Sequence, residues 1–186
     1  MGLNMYLTAR KYVGGWKHGE QGERKLYASL ADLVGIKPHE GSPHFYIEAC
    51  VGYWRKANAV HRWFVEKVQG GRDECQGSPV SREQLGELRA ACLLVLDSVE
   101  TVDGNVSTGT TYYPGGKVEH NTRPGRVVAQ PGVAAAVLPT QGGSFFGKTD
   151  YDDDYITDLR ETAALIDRVL GNPALADCEF EYRASW

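Results

Sequence analysis

No stretch of this chain approaches the run of about twenty apolar residues that a membrane-spanning helix needs, and no N-terminal apolar core suggests a secretory leader. No membrane partner is expected, and a cytoplasmic location is. An excess of charge of one sign is also lacking: 20 Lys and Arg stand against 24 Asp and Glu, a net of −4. A general nucleic-acid binder normally shows a basic face, so direct nucleic-acid binding is not expected. The four cysteines, Cys50, Cys75, Cys92 and Cys178, are scattered. They have neither metal-ligand spacing nor the density of a disulfide scaffold, so reduced thiols are expected. The five histidines, His18, His39, His44, His61 and His120, show no zinc-site spacing. No metal and no cofactor are expected. A Gly-x-Ser-x-Gly elbow is missing too, which leaves catalysis without a motif.

What is present is patterning. Leu3, Met5, Leu7 and Ala9 alternate with polar residues, as do Phe45, Ile47, Ala49 and Val51, and again Cys178, Phe180, Tyr182 and Ala184. A period of two marks strands with one buried face. Helical spacing appears over Arg24 to Val34, Trp54 to Gln69, Ser81 to about Val99, and Tyr151 to Leu170. Ser81 and Gln84 form a capping-box pattern. The expected fold is α+β, a small mainly antiparallel sheet of about three strands covered on one face by three to four helices. At 186 residues a single domain, 1–186, is expected. Between about 100 and 132 the chain becomes rich in Gly, Thr, Asn and Pro. It is either a flexible insertion or a hairpin turning at Pro114-Gly115.

The segment Gly52 to Val65 reads as an amphipathic helix whose apolar stripe is interrupted by Asn58 and His61. Buried polar groups need partners. Either both bond neighbouring main chain, or they face a cavity. On a helix, Trp54, Arg55, Asn58, His61 and Arg62 form a gradient from indole through imidazole and amide to guanidinium. Such a surface suits a planar, polar or phosphorylated ligand. Phe146 and Tyr151 are candidate walls. Near them, Gly142 to Thr149 is Gly-rich but fails the P-loop spacing. Thr149 reads as a helix N-cap, with Asp152 at the third helical position. His44 and Glu48 share a strand face, which permits acid–base chemistry in principle.

Four segments, Met1 to Leu7, Gly52 to Asn58, Phe145 to Thr149 and Ser185-Trp186, resemble a family of small bacteriophage and prophage proteins. Members tend to have Asp where this chain has Asn4. Some relatives look to be labelled phosphoglycerate kinase, which this chain is too short to be: that enzyme has two domains and about twice the length. The resemblance implies a phage accessory protein that counters host defence in the host cytoplasm. Three functions follow as expectations: capture of a small nucleotide-like ligand without catalysis, direct inhibition of a host defence protein in the manner of an anti-CRISPR, or a small hydrolase or transferase using His44, Glu48 or His61.

Overall fold

The computed structural model describes residues 2–15, 20–37 and 44–186. His18 and His39, and Met1 of the family-like start, lie outside the described residues. The chain is α+β. Strand β1 (Asn4–Val13) pairs antiparallel with both β2 (Phe45–Arg55) and β6 (Glu179–Ser185). A short strand, β3 (Ser78–Val80), adds to β6 and makes the order β2-β1-β6-β3. The three strands marked by alternation thus share one sheet, with β3 as a fourth. Three residues of β3 are too few for a period of two to show.

Helices α1 (Gln21–Leu33), α2 (Asn58–Lys67), α3 (Arg82–Ser98), α4 (Gly132–Val137) and α5 (Asp153–Gly171) complete the fold, with one 3-10 turn at Pro173–Leu175. The Ser81 capping box is formed at the start of α3: its side chain accepts from the Gln84 amide, and Gln84 reaches back to the Ser81 amide. Each partner satisfies an amide the helix cannot. Along α3, Leu85, Leu88, Cys92 and Val95 are buried, and along α5, Tyr155, Leu159, Ala163 and Ile166 are buried. These stripes meet the sheet residues Leu3, Met5, Leu7, Phe180 and Tyr182 in one core. Phe64 of α2 stacks on Tyr182 with ring centroids 3.8 Å apart. A fully buried side chain of this kind contributes roughly 1.5–3 kcal/mol.

Alternation on β2 departs from expectation. A bulge between Leu7 and Thr8 shifts the register, so the buried residues are Gly52 and Trp54, while Ile47 and Ala49 are exposed. The reason is position: β2 is an edge strand, covered at its start by α1, where Phe45 packs on Tyr27, and at its end by α5, while the stretch between is open. Near the end, Leu165 of α5 packs so closely that a Cβ on Gly52 would meet it at 3.0 Å.

Residues 100–132 form a hairpin. Strands β4 (Thr101–Tyr112) and β5 (Val118–Val128) pair antiparallel along their length, and the turn spans Tyr113 to Lys117. Only the base packs on the body: Val106 and Val128 are buried, Val128 bonds Tyr151 main chain, and the Ser107 amide donates to Asp150.

Candidate functional site

The continuous helix expected from Trp54 does not form. β2 runs through Arg55, Lys56 takes a left-handed conformation at φ 61°, and α2 begins at Asn58. A strand therefore turns into a helix within two residues. Left-handed backbone is uncommon for a residue with a Cβ, and here neighbours hold it. The Lys56 amide donates to the Leu3 carbonyl, and Gly147 sits so near that its own Cβ would lie 3.2 Å from that of Lys56. The gradient expected along one helix is broken as a result: Trp54 and Arg55 belong to the strand and point to opposite sides of it.

Each expected site residue can now be placed. Trp54 is buried and donates its indole N–H to Thr162 Oγ1 at 2.9 Å. Asn58 is buried and fully engaged. Its amide nitrogen donates to the carbonyls of Phe146 (3.1 Å) and Lys148 (2.6 Å), and its Oδ1 accepts from the Gln141 amide (3.0 Å). It pins the 140–149 loop onto α2. His61 is sealed in the core. Arg62 lies outside the pocket, pairing with Glu66 and the Thr140 carbonyl. Phe146 is buried edge-on against His61, and Tyr151 packs on Tyr155.

The His61 network follows from chemistry. Nδ1 lies 2.7 Å from the Tyr182 hydroxyl and Nε2 lies 3.0 Å from Asp73 Oδ2. An ionised carboxylate only accepts, so Nε2–H donates to Asp73 and the Tyr182 O–H donates to Nδ1. Burial lowers the His61 pKa, with Asp73 working against that shift, so the ring is neutral. Tyr182 is pushed well above its ordinary value, first by burial and then by the Asp73 charge. Trp186 donates to the other Asp73 oxygen at 3.0 Å. The chain Tyr182–His61–Asp73 has the connectivity of a proton relay, yet Tyr182 and His61 have no exposed surface. No substrate reaches them, and the network is a polar tie within the core. The acid–base set of His44, Glu48 and His61 does not assemble either. Glu48 pairs with Arg10 on the open face of the sheet, where His44 stacks on Tyr12, while His61 is on the helix-covered side.

One expected residue, Arg55, and the edge of another, Asn58, do border an opening. A pocket of about 370 Å³ lies where α2 and α5 begin. Its first wall is Arg55, Lys56, and the start of α2 at Ala59 and Val60. No side chain caps α2, and its first intrahelical bond is from His61 to the Ala57 carbonyl. The helix start therefore brings unused amide donors and partial positive charge to that wall. The opposite wall is acidic: Asp150, Asp152, Asp154 and Asp158.

Those carboxylates differ in state. Asp152, and not Thr149, is the N-cap of α5; its Oδ1 accepts from the amides of Asp154 and Tyr155. Thr149 lies too far before the first helical residue, Asp153, to cap it. Lys148 Nζ sits 2.6 Å from both Asp152 and Asp154. Burial disfavours its charge, but these two partners prevail and raise its pKa. Asp158 stands apart. Burial, then the charges of Asp154, Glu161 and Asp152, push its carboxyl up to about 7 against a weaker opposing effect of Lys148. A half-buried carboxyl with such a value is what a recognition or proton-handling group looks like.

Lys56 and Asp158 were not singled out by sequence. Asp154 and Asp158 carried a usable signal, a spacing of four on one helix, which stacks them on one face. Lys56 carried none. Among the described residues no group of three His, Cys, Asp or Glu is arranged to hold a metal ion, and no helix is long and apolar enough to cross a membrane. No family model matches the chain, and no match is found among curated proteins or solved structures.

Proposed function

We propose that this protein is a non-catalytic binding protein whose pocket between the starts of α2 and α5 captures a small nucleotide-like ligand. The observation that carries the reading is the two-sided character of that pocket. One wall offers Lys56 and an uncapped helix start, with Arg55, whose guanidinium also donates to Asn4 Oδ1 at 3.4 Å, at its rim, and these suit an anionic group. The other offers Asp158, which suits an amino group or a protonated ring nitrogen. A ligand that carries a phosphate and an amino-bearing base satisfies both. The pocket volume falls in the range of small-ligand sites. In the phage setting that the sequence resemblance implies, such capture would remove a nucleotide signal used in host defence.

The test is thermal unfolding and calorimetry against a panel of mono-, di- and cyclic nucleotides. A ligand present at one hundred times its dissociation constant stabilises by about 2.7 kcal/mol. That raises Tm by roughly 5–10 °C for a chain of this size. Arg55→Ala and Asp158→Asn should each abolish the rise. A panel that gives neither shift nor heat overturns the reading.

A second reading, direct inhibition of a defence protein, is favoured by the β4–β5 hairpin, which projects two strands with both faces largely exposed. Deleting residues 103–126 would then end inhibition of the target, and Arg55→Ala would leave it intact.

A further inference from the structure

The sheet has helices on one side only, and its other side is open. Four tyrosines, Tyr6, Tyr12, Tyr46 and Tyr53, lie there with 37–49% of their surface exposed. Tyr6 packs on Tyr53, Tyr12 packs on Tyr46, and the Arg10 guanidinium lies 3.6 Å from the centre of the Tyr46 ring. Between the tyrosine pairs is a depression lined by Tyr6, Thr8, Arg10, Glu48, Glu181 and Arg183. An exposed Tyr- and Arg-rich patch of this kind is typical of interface hot spots.

The register of the strands says what fits. Thr8 lies opposite Cys50 on one side and Glu181 on the other. Two residues toward one end, Tyr6 is flanked by Tyr53 and Arg183. Two residues toward the other end, Arg10 is flanked by Glu48 and Glu179. The charged rows are therefore mirror positions about the Thr8 row. Turning a second copy over about an axis that crosses the strands at Thr8 brings Arg183 onto Glu179 of the other copy and Tyr6 onto its Arg10. Both contacts occur twice by symmetry. Glu181 meets its own copy near the axis, with the two Arg183 side chains beside it.

We propose that this open face is a homodimer interface in which two copies pack sheet against sheet about the Thr8–Glu181 row. Charge complementarity singles out a second copy. The face carries Arg10, Arg55 and Arg183 against Glu48, Glu179 and Glu181, a balance that does not attract the phosphate backbone of a nucleic acid. The four strands, of 10, 11, 7 and 3 residues, present roughly 500 Å² at about 3.4 by 4.8 Å per residue, the scale of a small, weakly associating interface rather than of a standard one. Aligned sheets cross at about 30°, which keeps the rows next to the axis in contact.

The test is sedimentation velocity on the intact chain at roughly 10–100 µM, concentrated enough to populate a weak dimer. The wild type should sediment as a dimer. Glu179→Arg should shift it to monomer, since Glu179 is exposed and its replacement faces Arg183 of the other copy. Glu179→Arg combined with Arg183→Glu should restore the dimer, because the pair is merely exchanged. Glu181→Gln removes the repulsion on the axis and should tighten association by about tenfold. Circular dichroism of each variant checks that the fold persists. A wild type that is monomeric throughout this range overturns the proposal. So does a dimer indifferent to Glu179→Arg, or one that the exchange fails to restore.

Discussion

Replacing Asp158 with Asn isolates the most perturbed carboxyl of the pocket. Its folded value is about 7, against an ordinary 3.8. The raised value means that the folded chain holds this proton more tightly than the unfolded chain does. Below pH 4 both states are protonated and the group costs nothing. Between pH 4 and 7 the unfolded chain releases the proton while the folded chain keeps it, so stability falls as pH rises. Above pH 7 both are ionised and the cost is complete. At about 1.4 kcal/mol per pH step the upper bound is roughly 4 kcal/mol. Asp158 keeps some contact with solvent, which reduces this to about 2–3 kcal/mol. Asn has nearly the same shape and no proton to lose. Urea unfolding of both proteins from pH 4 to 8 should show the variant gaining on the wild type by that amount, with the gain growing between pH 4 and 7. A gap that stays constant with pH would show that Asp158 is solvated like a surface carboxylate, and the acidic wall would lose its special member.

Two further perturbations test how the site is held. Asn58→Ala removes three hydrogen bonds, one buried and two part-buried, and strands two carbonyls and an amide, which should cost about 2–4 kcal/mol in urea unfolding. Asn58→Asp should cost more, because a carboxylate would face two carbonyl oxygens; a loss below about 0.5 kcal/mol for either would disprove the pinning role. Tyr182→Phe leaves His61 Nδ1 buried without a donor and should cost about 1–3 kcal/mol. Because burial holds His61 below its ordinary 6.5, its contribution to stability is present above that pH and is lost as pH falls, opposite in sign to Asp158. His61→Leu should flatten the acid limb of the stability curve in chemical unfolding; an unchanged limb would mean that folding does not shift the His61 pKa.

What the sequence revealed and what it hid can be traced to particular residues. β1 and β6 alternate because one face of each is buried over most of its length, so the period of two is unbroken from Leu3 to Ala9 and from Phe180 to Ala184. β2 has the same composition but lies at the edge, and the bulge beside Leu7 reverses its pattern midway. Local alternation cannot report a neighbour strand that supplies one residue fewer. The helix assigned from Trp54 failed for a related reason. A left-handed turn is usually marked by Gly or Asn, and here Lys56 takes it because the Leu3 carbonyl and the Gly147 backbone, distant in sequence, hold it there.

Asn58 and His61 were singled out as ligand-binding residues because polar groups on a buried helix face need partners. The structure shows those partners to be the Phe146 and Lys148 carbonyls, the Gln141 amide, Tyr182 and Asp73, all supplied by other segments. The consequence reaches the site itself. Asn58 does not touch a ligand by its donors, since both are spent. What it does is fix the loop that carries Lys148 and so positions the acidic wall opposite Arg55. The same two helix starts that looked unrelated in sequence, 58 and 153, are thereby made to face each other. A pocket defined by two helix beginnings and a left-handed lysine leaves no contiguous motif, because none of its recognition groups owes its place to its immediate neighbours.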